Sequence, residues 1–157
     1  RHPERFDRVA ALCRRAGLNT LRRSENKPCG SQIQALVVDT MGELSIFYGT
    51  ADVAFIGGSL VAHGGHNLLE PAALSRPVIT GPHYFNFLEV TKQFLEHHAA
   101  IEVKNPEQLA DTVIDLLKAP QRRAEMGDAG RQLIEQSKGA SQRLLNLIDI
   151  YIRHGQR

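Results

Sequence analysis

The sequence predicts an α/β fold built on a doubly wound parallel sheet with helices on both faces. Three observations predict it. Short apolar runs alternate with helical patterns, most of those runs are continuously apolar, and each unusual segment falls directly after one of them. A strand covered by helices on both faces has no solvent side, so it reads as an unbroken apolar run. Strands alternating with helices make βα units and a parallel sheet. Such sheets bind ligands beyond the carboxyl ends of their strands.

Each element has its own signal. Pro3 to Ala16 carries Phe6, Val9, Ala10 and Cys13 at helical spacing. Ala35 to Asp39 is the first strand, and Thr40-Met41-Gly42-Glu43 then matches a Ser/Thr-x-x-Glu capping box ahead of Leu44, Phe47 and Tyr48. Val53 to Gly57, Pro77 to Thr80 and Ala100 to Val103 are the other strands. Phe85 to His98 repeats Leu88, Thr91 and Leu95 as a helix does. Asn105-Pro106-Glu107-Gln108 offers a cap and a first-turn proline, and Leu109, Val113, Leu116 and Leu117 follow on one stripe. Beyond Pro120 the pattern is helical to the end, with Leu133, Ile134, Leu144, Leu145, Ile148 and Ile152 as core candidates. Gly139 is expected to divide two helices, leaving residues 139–157 as a C-terminal helix.

The 157 residues fit one domain of ordinary size, with 42% apolar and 23% charged residues. A net charge of +2 is too weak to argue for nucleic acid. The basic pairs Arg14-Arg15, Arg22-Arg23 and Arg122-Arg123 read as solvated surface, with an anionic membrane surface as the other option. Cys13 and Cys29 sit in no metal-ligand spacing and point to free thiols in a reducing compartment. No stretch approaches the roughly 20 apolar residues of a spanning helix. The opening, Arg1-His2-Pro3-Glu4-Arg5-Phe6, does not read as a secretory leader. It reads as a strand-to-helix loop without its strand, so the chain is expected to be a piece of a larger protein.

The densest chemistry lies in Gly57-Gly58-Ser59-Leu60-Val61-Ala62-His63-Gly64-Gly65-His66-Asn67-Leu68-Leu69-Glu70-Pro71-Ala72. Glycine lets backbone approach a ligand closely, and a helix opening after such a loop presents unpaired N–H groups suited to phosphate. The run is neither Gly-x-Gly-x-x-Gly nor a Gly-Lys-Ser/Thr phosphate loop. A tight turn that packs helix against strand is the plainer alternative. Asn67 and Glu70 are spaced for a reciprocal capping box, while Glu70 is also placed to accept hydrogen bonds from ribose hydroxyls. His63, His66 and His83 have a zinc-like spacing, but no Cys and no second-layer carboxylate accompanies them, so no metal is assigned.

Asp39-Thr40-Met41-Gly42-Glu43-Leu44 admits either an ordinary strand-to-helix turn or a surface whose Met41 and Gly42 main chain reads a base edge. Arg1 stands where a preceding strand would deliver a guanidinium to phosphate or a sugar carboxylate. Neither a Gly-x-Ser-x-Gly elbow nor paired carboxylates for glycoside hydrolysis are evident.

Four blocks in order resemble the bacterial 3-deoxy-D-manno-octulosonic acid (Kdo) transferases. They are Arg1-His2-Pro3-Glu4-Arg5-Phe6, Asp39-Thr40-Met41-Gly42-Glu43-Leu44, Phe55-Ile56-Gly57-Gly58-Ser59 with Gly64-Gly65-His66-Asn67-Leu68-Leu69-Glu70-Pro71-Ala72, and Gly81-Pro82-His83-Tyr84-Phe85-Asn86-Phe87. The resemblance covers nearly the whole chain and implies the Rossmann-like, donor-binding C-terminal half of a two-domain GT-B glycosyltransferase. It implies CMP-Kdo as donor, a lipid A precursor (lipid IVA) as acceptor, and inverting transfer without metal or other cofactor. The full-length protein would work at the cytoplasmic face of the bacterial inner membrane, in lipopolysaccharide assembly.

By position, Glu70 would hold the ribose, and Gly58 and Ser59 with Gly65, His66 and Asn67 would face the phosphate. Met41, Gly42 and Glu43 would surround the cytosine, and Arg1 and His63 would stand near phosphate or the Kdo carboxylate. The family's glutamate base and acceptor cleft belong to the other half, so this chain alone would bind nucleotide weakly and catalyse nothing. A UDP-sugar GT-B transferase or epimerase, or a non-catalytic nucleotide-binding module, are the alternatives.

Overall fold

The structure is a computed structural model and describes residues 3–137. The chain gathers into two compact units, Arg1–Phe47 and Tyr48–Arg157. The expected C-terminal helix over 139–157, with Leu144, Leu145, Ile148 and Ile152, lies outside the described residues, as does Arg1.

In the first unit a 3-10 turn, Pro3–Arg5, leads into helix α1, Phe6–Arg15. Gly17, at φ +79, lets the chain leave the helix and return as strand β1, Thr20–Arg22. A second 3-10 turn, Arg23–Glu25, follows, and strand β2, Ala35–Val37, pairs parallel to β1 with Leu21 opposite Leu36. Ala10, Leu21 and Val37 are buried.

Strand β1 has no counterpart in the sequence reading. Its only buried residue is Leu21, between Thr20 and Arg22, and three residues with polar neighbours carry no periodic signal. The expected capping box at Thr40 is overturned. Helix α2 is Leu44–Thr50, three residues later than a Thr40 cap would start it, because Gly42 sits at φ +84 and turns the chain away from helix. Thr40 and Glu43 do meet, but side chain to side chain.

The second unit contains strand β3, Ala54–Phe55, helix α3, Leu69–Ala73, strand β4, Val78–Thr80, helix α4, Leu88–Glu96, and strand β5, Ala100–Glu102. Helices α5, Pro106–Lys118, and α6, Pro120–Ser137, complete it. The three strands form a parallel sheet in the order β3-β4-β5. Successive side chains of a strand point to opposite faces, and β4 shows the consequence. Val78 joins Ile56, Leu68, Ala72 and Phe94 in one apolar cluster, while Ile79 joins Val103, Leu116 and Met126 in another.

Both faces are therefore covered, which is why Pro77 to Thr80 reads as a continuous apolar run. Burying each of Val78, Ile79, Phe94 and Leu116 contributes roughly 1.5–3 kcal/mol. The start of α5 follows its sequence signal. Asn105 Oδ1 accepts the Gln108 N–H at 2.8 Å, and Gln108 Oε1 accepts the Lys104 N–H at 2.9 Å.

Candidate functional site

The glycine run leaves the carboxyl end of β3 as a folded loop. Gly58, Gly64 and Gly65 have φ of +72, +84 and +71, a region that residues with a Cβ rarely enter. The Gly65 N–H donates to the Gly58 carbonyl at 3.2 Å and draws the two ends of the loop together. The imidazole of His66 lies over this bend, its Nε2 3.6 Å from where a Cβ on Gly58 would stand. His63 and His66 are exposed, whereas Gly64 and Gly65 are buried.

Ser59 differs from the sequence expectation in one respect. Its side chain is fully buried, donates to the Ile56 carbonyl and accepts the Gly81 N–H at 2.7 Å. The hydroxyl is committed inside the fold by both bonds.

The segment after β4 braces the loop from outside. The His83 N–H donates to the Ser59 carbonyl at 2.9 Å, and the Asn86 N–H donates to the Gly64 carbonyl at 3.1 Å. The Asn86 amide also donates to the His63 carbonyl at 3.1 Å. Asn86 belongs to a sequence block that carried no assigned role, and this clasp, made across 23 residues, supplies one.

Asn67 and Glu70 do not form the reciprocal capping box. Leu68 is the capping residue of α3 and has no side-chain cap bond. Asn67 Oδ1 accepts the Leu69 N–H at 3.0 Å, and Asn67 Nδ2 donates to Glu70 Oε1 at 3.1 Å. Glu70 is thus held half-buried on the first turn of a helix of five residues. So short a helix supplies little dipole. Its first N–H groups are also used, Leu69 by Asn67 Oδ1 and Ala72 by the Leu68 carbonyl, and Pro71 has none.

In the first unit the turn after β2 is built from ion pairs. The Asp39 side chain is 1% exposed, accepts from Arg22 Nε at 2.6 Å, and takes the Ser24 N–H and hydroxyl at 2.8 and 2.6 Å. Those Ser24 bonds, the hydroxyl first, and Arg22 hold its carboxyl well below the usual carboxylate range. Arg22 Nη1 reaches Asp7 at 2.6 Å.

Glu43 accepts from the Thr40 hydroxyl on one oxygen and from Arg23 Nη2 at 3.0 Å on the other. The Thr40 bond chiefly, and then Arg23, lowers its pKa. Met41 is 63% exposed beside Gly42. Arg22 and Arg23 are therefore not free solvated surface, a correction to the sequence reading. The signal was missed because their partners lie some twenty residues away and meet them only when β1 pairs with β2.

Among the described residues no group of three or more His, Cys, Asp or Glu side chains could hold a metal ion. A cleft of about 460 Å³ lined by His97, His98, Arg122, Glu125 and Met126 lies at the start of β5. In a parallel sheet that is the end opposite the glycine loop, so the cleft is no part of this site. No helix among the described residues is long and apolar enough to cross a membrane.

Nucleotide-binding α/β folds share a loop beyond the carboxyl ends of the strands of a parallel sheet, where the glycine run lies here. The chain belongs to the glycosyl transferases group 1 family, which matches residues 19–133. It is 42% identical over 153 residues to the 3-deoxy-D-manno-octulosonic acid transferase of Haemophilus influenzae, and 39% identical over 154 residues to that of Bordetella pertussis. Each match covers 97% of this chain and 36% of the relative, so the chain spans about a third of their length. Among solved structures it resembles the C-terminal CMP-Kdo binding domain of WaaA from Acinetobacter baumannii. The TM-score is 0.81 and the identity 36%, covering 85% of this chain and 70% of that one. The fold is that of a GT-B C-terminal domain, as the sequence predicted.

Proposed function

We propose that this chain binds CMP-Kdo as the donor half of a Kdo transferase. The observation that carries the reading is the braced glycine loop running into Glu70, in a chain 36% identical to a CMP-Kdo binding domain. Gly65 shapes the loop through its own N–H bond to the Gly58 carbonyl, and the donor phosphate lies against main-chain N–H groups of Gly58, Ser59, His66 and Asn67. These are fixed donors that need no reorganisation when charge develops on the leaving group. Glu70, oriented by Asn67, accepts from the ribose hydroxyls. Met41, Gly42 and Glu43 form the cytosine side. The resemblance assigns His63 and Arg1 to the phosphate and the Kdo carboxylate, where they would offset the repulsion between two anions.

In the intact enzyme a glutamate outside this chain takes the proton of a lipid A precursor hydroxyl. The freed oxygen bonds the Kdo anomeric carbon on one face as the bond to the CMP phosphate breaks on the other, inverting the centre. The full-length protein works at the cytoplasmic face of the inner membrane. This chain contributes positioning and stabilises the departing phosphate.

An amide-shift titration with CMP, UMP and AMP tests the reading. CMP-selective shifts at Gly57 to Glu70 and at Met41 to Glu43 are expected. Glu70→Ala should weaken CMP by about tenfold to a hundredfold, the worth of hydrogen bonds to a charged group. Stronger shifts with UMP at the same loops would point to a UDP-sugar enzyme instead.

A further inference from the structure

The sequence reads Arg23 only as half of a solvated basic pair, yet its guanidinium is committed to the turn after β2. Nη2 donates to Glu43 Oε1 at 3.0 Å, and Nη1 donates to Asn26 Oδ1 at 2.8 Å. Asn26 is anchored in turn, at φ +51 with its N–H on the Arg23 carbonyl at 3.1 Å. The second Glu43 oxygen is taken by the Thr40 hydroxyl. Glu43 therefore has a donor on each oxygen, one from across the turn and one from the end of β1.

Residues 40–43 are closed from first to last by this pairing and tied to the neighbouring strand. Between the tied ends stand exposed Met41 and Gly42, the latter with open space where a Cβ would point. Cytosine and uracil differ on one edge, an amino donor in one and a carbonyl acceptor in the other. Main-chain groups can tell them apart only if they are held still, because rejection of the wrong base comes from leaving fixed polar groups unpaired.

We propose that Arg23 is a positioning residue for the nucleotide base. The Arg23–Glu43–Thr40 clasp holds the Met41–Gly42 main chain in the conformation that distinguishes cytosine from uracil. This rests on the assignment of that turn to the base. Glu43 then serves the cytosine side as the middle of the clasp. Arginine suits the position because its planar fork engages Asn26 and Glu43 at once, whereas lysine brings the charge without the fork.

The test titrates the chain, Arg23→Gln and Arg23→Lys with CMP and with UMP, reading Kd, the amide shifts of Met41 to Glu43, and the thermal midpoint. In the unmodified chain, CMP should shift Met41 and Gly42. Arg23→Gln should weaken CMP by about tenfold, the worth of one base hydrogen bond, and leave UMP nearly unchanged. Arg23→Lys should recover part of the preference. If Arg23→Gln fails to fold, Glu43→Gln is expected to show the same loss of preference.

An unchanged preference with a lowered midpoint would overturn the proposal and leave the clasp a structural brace. Equal weakening of both nucleotides would overturn it too. Absence of CMP shifts at Met41 to Glu43 in the unmodified chain would remove the base assignment, and the proposal with it.

Discussion

Ser59 shows how a residue beside a ligand loop can serve the loop without touching the ligand. Its hydroxyl donates a hydrogen bond to the Ile56 carbonyl and accepts one from the Gly81 N–H at 2.7 Å, stitching the end of β3 to the end of β4 with no exposure to solvent. Ser59→Ala removes both bonds and leaves the Gly81 N–H buried without a partner, which costs about 1–3 kcal/mol. Urea unfolding should show that loss. CMP affinity of the remaining folded protein should stay close to that of the unmodified chain, since no ligand contact has gone. A large loss of affinity with little loss of stability would return the hydroxyl to the phosphate. Gly81 is fixed by the same junction, because a Cβ there would fall on the Ser59 carbonyl.

At the scale of elements, the second unit depends on how closely α6 approaches its neighbours. Gly127 and Gly130 are buried on that helix, and a Cβ on Gly130 would lie 3.3 Å from both Ala72 Cβ and Phe94 Cε1. At Gly127 a Cβ would stand on the Ser75 carbonyl, with the Ser75 Cα 3.2 Å away. Two effects then oppose each other in Gly127→Ala. Helix propensity favours alanine by about 1 kcal/mol, while overpacking against rigid backbone costs about 1–3 kcal/mol. A net loss of stability is expected, measurable as a lower urea midpoint, and a gain would mean that α6 can shift. These glycines carried no sequence signal, since a helix pattern does not say which face meets backbone. The strands β3, β4 and β5 were legible because their apolar runs are local. Strand β1 was not, and neither was the register of the turn after β2. Both depend on Arg22 and Arg23 finding Asp39 and Glu43 across two paired strands. Likewise the glycine loop was legible as a loop, whereas its brace by Asn86 depends on a tertiary contact.

Each of the two units is stabilised by different forces, and acid should destabilise the first before the second. The second unit encloses two apolar clusters, around Val78 and around Ile79, which do not titrate. The first buries Ala10, Leu21 and Val37 and joins its strand ends through Asp39, Arg22, Glu43 and Arg23. Asp39 and Glu43 both have lowered pKa values in the folded chain, through Ser24 and Arg22 in one case and Thr40 and Arg23 in the other. A carboxylate whose folded pKa is depressed contributes stability that is fully present above its unfolded value, about pH 4, and is lost as pH falls below it. Residues 1–47 should therefore lose protection first as pH is lowered from about 5 to about 3. Hydrogen exchange, corrected for intrinsic rate, should accelerate at Leu21 and Val37 while Val78 and Ile79 stay protected. Asp39→Asn should cost protection at neutral pH and flatten the acid dependence, because the group that titrates has gone. Parallel loss in both units, or an unaltered profile in Asp39→Asn, would show that the ion pairs do not set the stability of the first unit. The expected order places the turn that we assign to the base in the part of the molecule most sensitive to acid. Nucleotide affinity should then fall with pH through that turn before the glycine loop itself is lost.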